Sequence, residues 1–240
     1  MPDLQPTAHN QQPTTPPGLF ITGTDTEVGK TYVTALIARQ LVAEGKRVGV
    51  YKPVASGCIF EGEELVAEDA VALWEAAGKP LTLEQVCPQR FKAPVAPNRA
   101  AAAVGQKVDP QRLRSGIEPW RTGFDFVLVE GAGGLLSPLS DEDYVADLAI
   151  DLGYPLVIVA PNKLGTINAT LQTIITASAY RTGLPVAGVV LSQVSENPDI
   201  SAASNHVDIA RSSPVPLLAD VRWGDGFEAA VDWVALAGKD

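Results

Sequence analysis

The stretch Gly23-Thr-Asp-Thr-Glu-Val-Gly-Lys-Thr31 lies between the apolar run Leu19-Phe-Ile21 and an amphipathic helical pattern. A loop between a strand and a helix can point several backbone N–H groups at an anion, and the helix adds the positive end of its dipole. Lys30 supplies a mobile cation, and Thr31 supplies a hydroxyl of the kind that binds Mg²⁺. Thr24 occupies the first glycine position of the usual GxxxxGK pattern. We nevertheless interpret the stretch as a loop that binds the phosphates of a nucleoside triphosphate.

Short apolar runs alternate with longer amphipathic stretches along the rest of the chain, as in βαβ units that form a parallel sheet. The predicted strands are residues 19–22, 48–51, 124–129, 156–160, 186–191 and 215–218. The predicted helices are residues 30–43, 65–77, 147–152 and 167–180. We expect an α/β fold of the P-loop NTPase type, with a doubly wound, mostly parallel sheet and helices on both faces. Six strands alone leave a fragment of a closed barrel as an alternative.

Length and composition favour one α/β domain over residues 18–240 of the 240-residue chain. Residues 1–17 are rich in Pro, Gln and Thr and are predicted to be a disordered extension. The formal net charge is −10 at pH 7, which argues against partners that are bound through clustered Lys and Arg, such as nucleic acid or an anionic membrane. No apolar run approaches the roughly 20 residues of a membrane span, and a secretory signal pattern is missing. We therefore expect a cytoplasmic protein.

Four unusual segments begin where a predicted strand ends. They are the phosphate-binding loop, Lys52-Pro-Val-Ala-Ser-Gly57, Glu130-Gly-Ala-Gly-Gly134 and Pro161-Asn-Lys-Leu-Gly-Thr-Ile-Asn168. Ligands of open α/β sheets bind beyond the carboxyl ends of the strands. The four segments are therefore predicted to meet in one site.

Individual residues in these segments admit more than one interpretation. Glu130 could bind Mg²⁺ directly or through water, and the glycines after it would let the backbone approach a nucleotide closely. Lys52 could reach a transferring phosphoryl group, or it could be a solvated lysine before a turn at Pro53. The acidic surroundings of Asp69 favour an exposed helix start. Residues 163–168 could be an ordinary helix entry or a second anion site.

The tryptophans are interpreted as core or interface residues; they are Trp74, Trp120, Trp223 and Trp233.

Taken together, these segments resemble the dethiobiotin synthetase family. The phosphate-binding loop, Tyr51-Lys-Pro-Val-Ala-Ser-Gly57, Val129-Glu-Gly-Ala-Gly-Gly134, Pro138-Leu-Ser-Asp141 and Lys163-Leu-Gly-Thr-Ile-Asn168 stand in the order of that family. The resemblance implies an ATP-dependent ligase that acts on 7,8-diaminopelargonic acid, CO₂ and ATP. Its products would be dethiobiotin, ADP and phosphate, formed through an N7-carbamate and a carbamic–phosphoric mixed anhydride. It also implies a homodimer, with Mg²⁺ as cofactor.

The resemblance assigns roles to individual residues. Lys52 and Lys30 would be catalytic, and Thr31, Asp69 and Glu130 would hold Mg²⁺. The implied ATP-binding residues are Thr26, Glu27, Val28, Gly29, Lys30, Thr31, Asp69, Glu130, Gly131, Ala132, Gly133, Ser192 and Gln193. The implied substrate-binding residues are Thr26, Lys52, Ser56, Gly133, Leu164, Gly165, Thr166 and Asn168.

Two departures from the family pattern concern the nucleobase. Ser192-Gln193 stands where the family commonly has Asn-Asp, and Val221-Arg-Trp223 stands where a Pro-Trp pair is usual. A glutamine amide offers a donor and an acceptor but lacks the carboxylate that would specify a purine edge strongly. The sequence therefore leaves the preference for ATP over other triphosphates open.

Two other classes share the phosphate-binding loop. A partition or metal-trafficking ATPase would use hydrolysis as a switch, but such proteins usually carry an additional lysine early in the loop, where this chain has Thr24 and Asp25. A cobyrinate-type amide synthetase normally has an attached glutaminase domain, for which this chain lacks the length and a plausible catalytic Cys–His pair.

Overall fold

The computed structural model of this chain describes residues 15–238. Its main sheet has six parallel strands in the order β2-β5-β1-β6-β7-β8, and β3 and β4 form a separate antiparallel hairpin. The strands are β1 Gly18–Gly23, β2 Val48–Tyr51, β3 Ile59–Glu61, β4 Glu64–Val66, β5 Phe126–Gly134, β6 Leu156–Pro161, β7 Val186–Ser192 and β8 Leu217–Val221. Because β2 and β8 are the two edges, the sheet is open and the barrel alternative is wrong.

Nine α-helices and one 3₁₀ helix, Glu118–Trp120, accompany the sheet within residues 15–238. The α-helices are α1 Lys30–Ala43, α2 Glu68–Ala76, α3 Leu83–Val86, α4 Pro97–Ala102, α5 Pro110–Ser115, α6 Val145–Leu152, α7 Thr166–Ala179, α8 Ala202–Ser212 and α9 Trp233–Ala237. Within the same residues, no helix combines the length and the apolar character that a membrane crossing requires.

The strand order determines which face of the sheet each helix covers. From β1 the chain crosses to β2 in one direction, whereas β6, β7 and β8 follow one another in the opposite direction. Because crossovers between parallel strands are right-handed, α1 must cover one face, and α7 and α8 the other. The buried side chains agree, since Ile174 of α7 and Ile209 of α8 pack in a cluster separate from the one that holds Ile37 of α1. The predicted doubly wound α/β fold is confirmed.

Strand β1 lies at the centre of the sheet and is buried along its whole length. It pairs with β5 on one side and β6 on the other, so both of its faces are covered and its sequence is almost continuously apolar. Its register with β5 shifts between Ile21 and Gly23, which places Gly23 opposite Gly134. The phosphate-binding loop therefore begins beside the glycine-rich end of β5.

Some predicted boundaries differ from the structure. The predicted helix at residues 65–77 is wrong at its start, because Glu64–Val66 pairs with Ile59–Glu61 across a turn in which Gly62 has a φ of 64°. Strand β5 extends through the glycines to Gly134, since β1 pairs with it as far as Gly134, beyond the end of its pairing with β2 at Val129. Most of the predicted N-terminal extension, residues 1–14, lies outside the described residues, so its disorder stays a prediction.

Candidate active site

The phosphate-binding loop connects Gly23 at the end of β1 with Lys30 at the start of α1. Gly29 is the N-cap of α1 with a φ of 88°, and no side chain caps the helix. The first turn of α1 also holds no acidic residue, so its free N–H groups and positive dipole end are available to an anion. A Cβ on Gly29 would lie 2.4 Å from Oγ of Ser192. Glycine is thus required here both for the backbone conformation and for the close approach of β7.

The ammonium group of Lys30 lies inside the loop. It donates a hydrogen bond to the Asp25 carbonyl oxygen at 3.1 Å, and the residue is 7% exposed. Burial, together with the neighbouring charge of Lys52, lowers the pKa of Lys30 to about 8, although nearby acids oppose this shift. An incoming phosphate would stabilise the charged lysine, so this environment favours anion binding.

Glu130 lies on β5 and is completely buried. Its Oε1 accepts hydrogen bonds from the Thr31 hydroxyl at 2.9 Å and from the Lys52 ammonium at 2.5 Å. Its Oε2 lies 2.8 Å from the hydroxyl of Thr34. Both carboxylate oxygens therefore have partners, as a buried charge requires.

Lys52 follows β2 directly, and the pairing of Tyr51 with Val129 places it beside Glu130. Its Nζ also donates to Oδ2 of Asp69 at 2.9 Å. Burial alone would lower the pKa of Lys52, but the charges of Glu130 and Asp69 outweigh it and the pKa is raised. Lys52 is only 3% exposed, so its interpretation as a solvated lysine is wrong.

Asp69 lies in the first turn of α2 and contacts the same lysine. Its side chain is 51% exposed, yet the charge of Lys52 lowers the pKa of this carboxyl below its usual range. Its acidic neighbours in the sequence suggested only an exposed helix start. The tertiary structure instead turns this one acid toward the cleft.

Oxygen ligands suited to a hard cation surround the Lys52 ammonium. Asp69 and Glu130 each bind it, and the Thr31 hydroxyl shares Oε1 of Glu130 with it. The oxygens of this site therefore already stabilise one positive charge, which belongs to the chain itself. No group of three His, Cys, Asp or Glu side chains converges within residues 15–238. A metal here would rely on two carboxylates and one hydroxyl, and phosphate oxygens and water would complete its shell, which fits Mg²⁺.

These groups open onto a cleft of about 670 Å³. Thirteen of the residues expected in the site line it: Thr26, Glu27, Val28, Gly29, Lys30, Thr31, Lys52, Ser56, Asp69, Ala132, Gly133, Ser192 and Gln193. Glu130 lies beneath the cleft and acts through Lys52 and Thr31. Gly131 is also set back, since a Cβ there would meet Val145 at 2.8 Å.

Four expected substrate-binding residues do not line this cleft; they are Leu164, Gly165, Thr166 and Asn168. Gly165 is the N-cap of α7 with a φ of 91°, and Leu164 before it is 79% exposed. Thr166 is buried, and its hydroxyl has no hydrogen-bond partner in the described structure. Their role in substrate binding stays a prediction.

Tyr32 and Trp223 also line the cleft, although neither is among the predicted site residues. The Tyr32 hydroxyl donates to the Asp225 carbonyl oxygen at 2.6 Å, which ties the turn after β8 to α1. Trp223 is 54% exposed and is therefore not a core residue. The contact between Tyr32 and Asp225 could not be predicted from local sequence, because the two residues lie 193 positions apart in the chain.

Comparisons with known proteins agree with this fold. A family model described as an AAA domain matches residues 17–230. A structure of a ParA family ATPase from Chlorobium tepidum aligns with a TM-score of 0.53 at 15% identity, covering 87% of this chain and 85% of that one. At this identity the likeness concerns the fold alone.

Three curated relatives carry the name ATP-dependent dethiobiotin synthetase BioD. The protein from Rhodopirellula baltica is 43% identical, covering 86% of this chain and 84% of its own. The one from Anaeromyxobacter dehalogenans is 42% identical, covering 86% and 90%. The one from Bacillus thuringiensis is 38% identical, covering 92% of each chain. This chain therefore belongs to the family of ATP-dependent dethiobiotin synthetases, which are ligases that form carbon–nitrogen bonds.

Proposed function

We propose that this protein closes the ureido ring of dethiobiotin, using 7,8-diaminopelargonic acid, CO₂ and ATP, and releases ADP and phosphate. The observation that carries this proposal is the position of Lys52. Its ammonium is buried between Glu130 and Asp69 and lines the same cleft as the phosphate-binding loop. A fixed positive charge beside a triphosphate suits the approach of a second anion.

The chemistry requires such a charge. CO₂ first adds to the 7-amino group and forms a carbamate with loss of a proton. A carbamate oxygen attacks the γ-phosphorus, and the bond between this phosphorus and the bridging oxygen of the β-phosphate breaks. ADP departs, and the product of this step is a carbamic–phosphoric anhydride. The 8-amino nitrogen then attacks the carbamate carbon, loses a proton and expels phosphate. Two anions meet in the second step, so preorganised cations must offset their repulsion.

The two lysines differ in their environment and therefore in their proposed roles. The raised pKa of Lys52 keeps it protonated, which suits electrostatic stabilisation of the carbamate oxygen and the transferring phosphoryl group. Lys30 lies in the loop itself and would hold the phosphates. Thr31, Asp69 and Glu130 would hold Mg²⁺, which neutralises phosphate charge when it is bound.

Substrate would lie beside Thr26, Ser56 and Gly133, which line the cleft next to these lysines. The distant carboxylate of the diamine would bind at the N-terminus of α7, at residues 164–168, near the contact between the two subunits of a homodimer.

Exposed apolar residues on and before α7 support self-association, since Leu164 is 79% and Ile175 65% exposed. Sedimentation analysis of the wild type and Leu164→Asp tests this proposal, and a wild-type monomer at assay concentration would refute it. The location in the cytoplasm stays a prediction.

The proposed reaction is tested by incubating the purified protein with the diamine, ¹³C-bicarbonate, Mg²⁺ and ATP. Dethiobiotin carrying one heavy carbon, formed only when the diamine is present, is the expected product by mass spectrometry. Lys52→Ala should lower its rate of formation by about 10³-fold, whereas Lys107→Ala, with its exposed side chain, is the matched control. ATP hydrolysis at the same rate with and without the diamine, with no labelled product, would instead favour an ATPase switch.

A further inference from the structure

One end of the cleft is rich in charge and the other is not. Lys52 follows β2, whereas the opposite end is formed after β7 and β8 by Ser192, Gln193, Val194, Trp223 and Gly224. Four strand spacings separate β2 from β7, which is about 19 Å. Because Lys52 faces the transferred phosphoryl group in the proposed function, the nucleobase must lie at the opposite end. We call these five residues the base end.

Gln193 is the residue at the base end best equipped to read a base, but its donors are already used. Its side-chain Nε2 donates to the carbonyl oxygens of Ser195 at 2.8 Å and Glu196 at 3.3 Å. Its backbone N–H donates to Val221 at 2.8 Å. Only Oε1 is left, and one acceptor cannot form the paired donor and acceptor contacts that distinguish one base from another.

The other polar side chains at or beside the base end are no more selective. The Ser192 side chain packs against Gly29, and a hydroxyl can rotate to donate or to accept. Arg222, which precedes Trp223, is paired with Glu228 at 3.2 Å. None of the five residues of the base end carries a charge. The side chains of Ser192 and Gln193 therefore offer a base of either class a compatible partner but no selective one.

Trp223 offers a different kind of contact. Its side chain is half exposed at the cleft, and the hydrogen bond from Tyr32 to Asp225 holds the following turn in place. An aromatic face can stack on any base, because every base has a π-face, and such stacking tolerates changes of sequence.

From these contacts we infer that the enzyme binds the nucleobase by stacking on Trp223 and accepts purine and pyrimidine triphosphates alike. The inference rests on the proposed function for the direction of the nucleotide. A site that reads its ligand by hydrogen bonds rejects the wrong one by about 10⁴-fold. The stacking energies of different bases differ by much less than this. The affinities for nucleotides with different bases are therefore expected to differ by less than about thirtyfold.

The first experiment measures binding without chemistry. Isothermal titration of the full chain with ADP, GDP and CDP in the presence of Mg²⁺ should give dissociation constants within about thirtyfold of one another. A wider spread overturns the inference. This result does not depend on the diamine, so it stands even if no dethiobiotin is formed.

The second experiment tests Trp223 itself. Trp223→Ala should weaken all three nucleotides by similar factors of about 5- to 100-fold, and Trp223→Phe should restore most of the affinity. Val104→Ala is the matched control, because Val104 is 55% exposed and does not line the cleft. Loss of affinity for one nucleotide alone, or no loss for any, overturns the assignment of Trp223.

Turnover separates this inference from the proposed function. Labelled dethiobiotin formed from ATP, GTP and CTP with kcat/KM values within about thirtyfold supports both. Product from ATP with a greater preference than this overturns the inference and leaves the ligase reaction intact. Comparable binding without any product overturns the proposed reaction and leaves the stacking contact intact.

Discussion

The ion pair between Lys52 and Glu130 can be tested by Lys52→Met and Glu130→Gln, made singly and together. Glu130 is fully buried and the Lys52 side chain is 4% exposed. Either single change leaves a charge where water has little access, whereas the double change removes both charges. The three variants therefore separate the cost of an unpaired charge from the value of the pair.

The expected magnitudes follow from the contacts that survive. Removal of one partner of a buried pair costs about 3–5 kcal/mol. Lys52→Met leaves Glu130 with the hydroxyls of Thr31 and Thr34, and Glu130→Gln leaves Lys52 with the half-exposed Asp69. Each single variant should therefore lie near the lower limit, at about 3 kcal/mol. The double variant should lose less than the sum, with a coupling of at least about 2 kcal/mol.

Urea denaturation, followed by circular dichroism and by tryptophan fluorescence, measures these free energies of unfolding. In thermal unfolding the single variants should melt about 6–12 °C below the wild type. Lys107→Met, which removes a pair that is exposed on both sides, should leave the midpoint unchanged. Losses that simply add in the double variant, or single variants as stable as the wild type, would show that the two charges do not stabilise each other.

Three further outcomes are expected. Gly29→Ala should abolish nucleotide binding, because a Cβ would lie 2.4 Å from Ser192. Gly45→Ala has a similar φ of 81° with nothing near it, so thermal denaturation should show only the backbone cost of about 1–2 kcal/mol. ATP affinity should fall as the pH rises through about 8, where Lys30 loses its charge. Calorimetry above that pH should show uptake of up to about one proton per nucleotide, and Lys30→Arg should move the fall to higher pH. Lys52→Ala should lower kcat by about 10³-fold while ATP affinity changes less than about tenfold; unchanged turnover would remove Lys52 from the mechanism.

Local signals predicted the start of the fold well. The bounds of β2 and α1 agree with the prediction at both ends, because apolar periodicity and the glycine before Lys30 act within a few residues of one another. The hairpin of β3 and β4 was missed for the opposite reason. Its three-residue strands are too short to show a period, and Leu65 and Val66 look equally suited to a helix.

The site shows the same division. The phosphate-binding loop could be located from one contiguous stretch, Lys52 and Glu130 could be proposed because each follows a predicted strand, and the resemblance to a family added Asp69. Asp69 could not be selected from its acidic neighbours by composition, because only its contact with Lys52 distinguishes it. Trp223 was interpreted as a core or interface residue, because the residue type alone does not show that the chain after β8 lines the cleft.

The fold class, the phosphate-binding loop and the family could be predicted from the sequence, since each of these depends on residue types in a fixed local order. The structure was needed to show that Lys52 is buried and paired, that the donors of Gln193 are already used, and that Trp223 faces the cleft. Charge and hydrogen-bond energies depend on distance and burial. Residues such as Lys52 and Glu130, 78 positions apart in the chain, acquire both only when the strands pair.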